Sequence, residues 1–228
     1  RQRYREKVRQ NLDVLTSNEM LAAAELHGVE PEMILAGNGS DDILTIITRT
    51  FLGAGNTAVY PTPSYLLYET LVQLQGASAH AVPFESDWTL DPTRFAQPKP
   101  RLAYLANPNS PSGTALSRNQ VAELARSLAC PLVVDEAYAD FAEDHCISLV
   151  ADHPNVIVTR SFSKGYSLAG LRLGYLIANP DMVKQLVKVK DSYNCDALSL
   201  AGGIAALQDQ DYHRECRAKI LNTRRRLT

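Results

Sequence analysis

The sequence lacks an apolar run of the roughly 18 residues that a membrane-spanning helix needs, so it predicts no membrane partner. It also lacks an excess of basic residues, because 23 Lys and Arg stand against 25 Asp and Glu and leave a net charge of -2. A surface for nucleic acid is therefore not expected. The first ten residues are charged throughout and do not resemble a secretion signal.

Cysteine is scarce and does not occur in a recognisable pattern. The four cysteines form no Cys-x-x-C pair and have no histidine at metal-ligand spacing; they are Cys130, Cys146, Cys195 and Cys216. We therefore expect reduced thiols packed as small apolar side chains, no metal site and a cytoplasmic protein. Apolar residues are abundant, at 45% of 228 residues, which is enough to build the core of one large domain.

Short apolar runs alternate with segments of helical periodicity along the chain. The predicted strands are Met33–Ala36, Thr57–Tyr60, Ala79–Phe84, Arg101–Ala106, Pro131–Val134, Asn155–Arg160 and Leu173–Ala178. The predicted helices are Asn18–His27, Asp41–Phe51, Tyr65–Gln75, Gln120–Ala129, Met182–Lys190, Cys195–Gln208 and Tyr212–Arg226, with a further short helix within Trp88–Gln97. Because several strands are apolar throughout, the pattern predicts an α/β fold in which helices cover both faces of a mainly parallel sheet.

Polar residues follow several of these strands, at the edge of the sheet where α/β proteins bind ligands. The segment Thr159–Tyr175 is the most informative, because it presents Lys164 between strands, flanked by Ser161 and Ser163 and followed by Arg172. A lysine amine can form a Schiff base with an aldehyde, while hydroxyls and a guanidinium can hold a phosphate. The alternative is a surface lysine in a Ser/Gly loop.

Asp135 directly follows the predicted strand of branched residues, Pro131–Val134. A buried carboxylate is costly without a cationic partner, and a protonated pyridine nitrogen would be such a partner. Tyr138 and the Asn107 amide of the Asn-Pro-Asn-Ser-Pro-Ser-Gly turn can then reach the phenolic oxygen of the same ring. The alternatives are a hydrogen-bonded aspartate at a strand end and an ordinary proline-rich turn.

Gly39, Ser40 and Asp41 lie at the start of a predicted helix, where free amides and the helix dipole favour a phosphate group. The acids of this turn, Asp41 and Asp42, would then have to point away from the phosphate; simple helix capping is the alternative. Tyr65 can stack on a flat heterocycle, or else it is a core tyrosine.

In this order the segments GNGSDD, YPTPSY, NPNSPSG, VVDEAY, RSFSKGYSLAGLRLGY and YNCDALS resemble the fold type I pyridoxal-phosphate-dependent aminotransferases, and among them the histidinol-phosphate aminotransferase family. The resemblance runs from about Asn18 to the end of the chain. It implies a three-layer α-β-α large domain, pyridoxal 5'-phosphate as cofactor and a cytoplasmic homodimer. It also implies amino-group transfer from histidinol phosphate to 2-oxoglutarate in histidine biosynthesis, with Lys164 catalytic and Tyr193 and Asn194 near the substrate.

Two features of that family are not found in the sequence: its Asn-Glu-Asn-Pro motif and the arginine of its small C-terminal domain. We therefore predict an N-terminal arm over 1–16, a cofactor-binding large domain over 17–210 and the start of a small C-terminal domain, largely absent, over 211–228. Two alternatives remain. One is another fold type I enzyme, such as an aromatic amino acid aminotransferase or a phospho-amino-acid decarboxylase, and the other is an inactive relative.

Overall fold

A seven-stranded sheet runs through the part of the chain that the computed structural model describes, residues 17–227. Its strands are β1 (Ile34–Gly37), β2 (Thr57–Thr62), β3 (Ser78–Pro83), β4 (Leu102–Ala106), β5 (Leu132–Asp135), β6 (Val156–Ser161) and β7 (Gly174–Ala178). Across the sheet they lie in the order β1-β7-β6-β5-β4-β2-β3. Each strand predicted from the sequence is confirmed within about three residues at either end.

One strand of this sheet runs against the others. The pairs from β3 through β2, β4 and β5 to β6 are parallel, whereas β7 is antiparallel to both β6 and β1. β1 therefore points the same way as β2 to β6. As a result the carboxyl ends of β1, β4, β5 and β6 meet the amino end of β7 at one edge of the sheet.

Helices cover both faces of the sheet, as predicted. Within the described residues they are α1 (17–27), α2 (Ser40–Phe51), α3 (Leu67–Leu74), α4 (Pro92–Phe95), α5 (Arg118–Ser127), α6 (Leu149–Asp152), α7 (Pro180–Val187), α8 (Ala197–Gln208) and α9 (Gln210–Leu227). The sheet side chains alternate between two cores: Leu132 and Val134 of β5 pack with α1, α5 and α8, while Val133 packs with α2, α3 and α7. The three-layer α-β-α architecture is thus confirmed.

Local sequence signals account for several helix ends. Ser117 and Gln120 form a reciprocal capping box at the start of α5, and Asp196 caps α8 by accepting bonds from two backbone amides. α5 ends at Ser127, earlier than the predicted Ala129, and the backbone is extended from Leu128. The sequence did not predict α6, whose four residues are too few to show periodicity.

All four cysteines are free, as expected, and Cys130, Cys146 and Cys195 are buried. Between residues 17 and 227 there is no helix both long and apolar enough to cross a membrane. The predicted arm, 1–16, lies outside the described residues. The division into a large domain and the start of a small domain stays a prediction.

Candidate active site

A cavity opens at the edge of the sheet where the ends of β4, β5 and β6 meet the start of α2. Because parallel strands end at the same edge, side chains far apart in sequence converge there. Nine of the eleven residues predicted to bind a cofactor line this cavity: Ser40, Asp41, Tyr65, Asp135, Tyr138, Ser161, Ser163, Lys164 and Arg172. The remaining lining residues are Ala106, Pro108, Ser110, Ala137 and Ala169.

Lys164 lies in the loop that follows β6 and brings an amine into the cavity. Its Nζ atom lies 5.4 Å from the centroid of the Tyr138 ring, within the range of a cation–π contact. Tyr138 follows β5, lines the cavity and is 37% exposed. The amine therefore lies over the face of the Tyr138 ring.

Asp135 is the last residue of β5 and is 5% exposed. Its Oδ2 accepts a hydrogen bond from the Tyr68 hydroxyl at 2.9 Å, and its Oδ1 accepts bonds from the Ala137 amide and the Thr159 hydroxyl, both at 3.2 Å. Burial raises the pKa of Asp135, and these three hydrogen bonds oppose that shift. Among residues 17–227 every donor to this carboxylate is neutral, so a cation delivered into the cavity would find a buried acid without a charged partner.

Donors suited to a phosphate also line the cavity. Arg172 is held in a left-handed backbone conformation (φ 49°), and its Nη1 lies 3.4 Å from the Ser163 hydroxyl. Its Nη2 lies 2.9 Å from the position that a Cβ on Gly39 would take. Gly39, with a φ of 87°, precedes the free amides at the start of α2. The guanidinium therefore reaches the helix start because residue 39 has no side chain.

Asp41 faces the cavity, so the expectation that both acids of this turn point away is wrong for this residue. Its Oδ2 lies 3.4 Å from Arg172 Nη2, and its Oδ1 accepts a hydrogen bond from the Tyr65 hydroxyl at 3.2 Å. Burial and the neighbouring Asp41 carboxylate raise the pKa of Tyr65 to about 12. Asp42 does point away, because its Oδ2 accepts bonds from the Asn38 amide and the Asn194 side chain.

Four predicted site residues are not among those that line the cavity: Gly39, Asn107, Tyr193 and Asn194. The Asn107 amide nitrogen donates to the Leu116 carbonyl at 3.0 Å, and its oxygen accepts from the Leu116 amide at 2.8 Å, so the side chain braces its own turn. Asn194 donates to the Ala36 carbonyl at 3.1 Å, at the end of β1. Tyr193 is 60% exposed. Their roles toward a cofactor or substrate stay predictions.

Sequence reasoning missed Tyr68 and Thr159, whose hydroxyls donate hydrogen bonds to the Asp135 carboxylate. Thr159 lies opposite Asp135 in the β5–β6 pairing, so its position follows once the register is known. Tyr68 carries a signal in the sequence: it lies three residues after Tyr65, one helical turn on, so the two rings are neighbours. Without the packing of α3 on the sheet, nothing in the sequence connects Tyr68 to Asp135.

The sequence matches a family of known proteins along almost its whole length. The model of the family described as "Aminotransferase class I and II" matches residues 12–228. A protein named histidinol-phosphate aminotransferase from Rhodopirellula baltica is 50% identical over 219 residues, covering 95% of this chain and 60% of that protein. A protein of the same name from Geotalea uraniireducens is 46% identical over 205 residues, covering 89% of this chain and 58% of its own length.

A solved structure shares the architecture. The crystal structure of histidinol-phosphate aminotransferase from Sinorhizobium meliloti in complex with pyridoxal-5'-phosphate superposes with a TM-score of 0.87 and 33% identity, covering 96% of this chain and 61% of that one. The chain thus spans about three-fifths of the length of the relatives that it matches.

Proposed function

The chain belongs to the aminotransferase class I and II family, and we propose that it forms the cofactor-binding part of a pyridoxal-phosphate-dependent aminotransferase that acts on histidinol phosphate. One observation carries the proposal: a lysine amine, a buried aspartate whose donors within residues 17–227 are all neutral, and an arginine beside a helix start line a single cavity.

The residues of this cavity match pyridoxal phosphate part by part. The Lys164 amine suits its aldehyde, and the Asp135 carboxylate suits a protonated ring nitrogen. Ser161, Ser163 and Arg172, with the amides of α2, suit its phosphate. When bound, the cofactor supplies an aldehyde that takes up the amino group and a ring that withdraws electrons from the α-carbon.

Each side chain then has a defined task. Asp135 keeps the ring nitrogen protonated by opposing its charge within a buried site. The Lys164 amine would hold the aldehyde and would act as the base that moves a proton at the α-carbon of the substrate. Tyr138, beside that amine, can donate a hydrogen bond to the phenolic oxygen, and Tyr65 can stack on the ring. Arg172 supplies the charge that balances the phosphate.

The finer parts of the proposal follow from the relatives. Their name supports histidinol phosphate as amino donor and a 2-oxo acid as acceptor, in histidine biosynthesis. We further propose a cytoplasmic homodimer with a large domain over 17–210, and a place near the substrate for Tyr193 and Asn194.

The test is a reconstitution of the purified protein with pyridoxal phosphate. Visible absorbance should develop, and borohydride reduction followed by peptide mapping should place the phosphopyridoxyl group on Lys164. Substitution Lys164→Ala should remove both signals and lower the half-reaction with histidinol phosphate by at least about 100-fold. Lys184→Ala is the matched control, because Lys184 is exposed and paired with Asp181 outside the cavity.

Two results would contradict the proposal at different levels. A protein that stays colourless and takes up no pyridoxal phosphate would exclude the cofactor and the reaction together. A protein that binds the cofactor on Lys164 but gives no half-reaction with histidinol phosphate would retain the cofactor and exclude the substrate.

A further inference from the structure

One oxygen of Asp135 accepts a hydrogen bond from Tyr68, which is not among the residues that line the cavity. Tyr68 lies in α3, is fully buried, and donates its hydroxyl to Asp135 Oδ2 at 2.9 Å. The two other bonds, from the Ala137 amide and the Thr159 hydroxyl, both go to Oδ1 at 3.2 Å. Within the part of the chain that the structure describes, Tyr68 is thus the one donor to Oδ2, and its bond is the shortest of the three.

The bond acts on an acid whose ionised form is disfavoured by its surroundings. Desolvation raises the pKa of Asp135, and the Tyr68 hydroxyl leads the groups that lower it again. A hydrogen bond to a charged acceptor is about twice as strong as one between neutral groups. Removing it therefore shifts Asp135 toward the protonated acid, which cannot oppose the charge of a ring nitrogen.

The Tyr68 ring is itself fixed in place. It stacks on Tyr104 with ring centroids 4.8 Å apart and an angle of 9° between the planes. It also meets the cavity-lining Tyr65 edge to face at 5.6 Å. Because the hydroxyl is carried on a ring packed from two sides, it holds Oδ2 in one orientation rather than following its movements.

We propose that Tyr68 is a positioning residue for the amino-transfer reaction, which keeps Asp135 ionised and oriented toward the ring nitrogen of the cofactor. The inference rests on the proposed function, since it needs the ring nitrogen as the partner of Asp135. Tyr68 acts through Asp135 and touches neither cofactor nor substrate.

The neighbouring tyrosine provides a matched control. Tyr104 is also fully buried and is the other half of the stacked pair, but its hydroxyl lies 2.6 Å from the Thr48 hydroxyl and makes no contact with Asp135. Tyr68→Phe and Tyr104→Phe each remove one buried hydroxyl from the same stack. Only the first removes a bond to the acid.

The experiment compares these variants in the purified protein reconstituted with pyridoxal phosphate. Tyr68→Phe should lower the rate of α-proton removal from the amino donor by roughly tenfold or more, whereas Tyr104→Phe should stay within about twofold of the parent. The pH midpoint of the visible absorbance should rise in Tyr68→Phe alone, because a ring with less positive charge repels the proton on the lysine nitrogen less.

A double-mutant cycle with Asp135→Asn separates positioning from general packing. If Tyr68 acts through Asp135, Tyr68→Phe should cause no further loss of rate in the Asp135→Asn background. Equal effects of the two phenylalanine variants, or an unchanged pH midpoint in Tyr68→Phe, would overturn the role of Tyr68 while leaving the cofactor assignment intact. A parent protein that binds no pyridoxal phosphate would overturn both.

Discussion

A methyl group added to Gly174 tests how closely α2 must approach the sheet to build the phosphate site. Gly174 opens β7 and pairs with Gly37 of β1 and Ser161 of β6. A Cβ at this position would lie 2.7 Å from the Ser40 nitrogen, 2.8 Å from the Arg160 carbonyl oxygen and 2.9 Å from the Gly39 carbonyl carbon. All three are backbone atoms, so no side chain can rotate away to make room.

The expected effect of Gly174→Ala has two parts. To reach ordinary contact at 3.4 Å, the Ser40 nitrogen must move by about 0.7 Å, which displaces the start of α2. Overpacking of this kind costs about 1–3 kcal/mol, and a domain of this size loses roughly 2–4 °C in Tm for each kcal/mol. Because the displaced amides are those proposed to bind the phosphate, the Kd for pyridoxal phosphate should rise by about tenfold.

Thermal unfolding of the apoprotein and a titration with pyridoxal phosphate measure the two parts separately. Gly170→Ala is the control, since an added Cβ there meets no atom within 4 Å, although Gly170 lies in the same loop as Arg172. Gly170→Ala should change neither the free energy of unfolding nor the free energy of cofactor binding by more than about 0.5 kcal/mol. The reasoning fails if Gly174→Ala binds the cofactor as tightly as the parent, or if the two alanine variants weaken binding equally.

Two further predictions concern acids that sequence reasoning placed incorrectly or did not single out. Asp41→Asn should tighten pyridoxal phosphate binding by about 2- to 5-fold, because it removes a carboxylate from beside Arg172 in a pair whose side chains are nearly half exposed. Asp42→Asn is the control, because the Asp42 carboxylate accepts a hydrogen bond from the Asn38 amide instead. Weaker binding by Asp41→Asn would contradict the expected repulsion between the Asp41 carboxylate and the phosphate. Glu19 is 1% exposed, neither of its oxygens has a hydrogen-bond partner among residues 17–227, and burial raises its pKa to about 8. Since that folded-state pKa lies above the unfolded value of 4.5, the contribution of Glu19 to stability is fully present below about pH 4.5 and falls by several kcal/mol as pH rises to about 8. Glu19→Gln should flatten this slope in urea unfolding, and an unchanged slope would exclude Glu19 as its source.

The parts of the site that could be predicted from the sequence are those in which a polar residue directly follows an apolar strand. Asp135 is of this kind, because the end of a parallel strand places a residue at the ligand edge, and Lys164 lies three residues beyond the end of β6, in the loop at the same edge. Asn107 also follows a strand, yet its amide braces Leu116, nine residues on. The pattern specifies the edge of the sheet but not the direction of the side chain.

The parts that could not be predicted depend on contacts between distant elements. Tyr68 and Asp135 are 67 residues apart, and their bond exists because α3 packs on the same face of the sheet as Val133 of β5. The turn of Asp41 toward Arg172 depends likewise on a partner 131 residues away. The reversed direction of β7 also escaped prediction, since a buried strand is apolar throughout whichever way it runs.

The reversed direction of β7 determines how close in sequence the two proposed cofactor anchors lie. Because β7 returns along β6, the chain leaves and re-enters the ligand edge within the twelve residues between Ser161 and Gly174. The proposed covalent anchor, Lys164, and the proposed phosphate anchor, Arg172, therefore lie in the same short loop. A single deletion that spans this loop would remove both Lys164 and Arg172. Asp135 would remain, because it lies on a separate strand, β5.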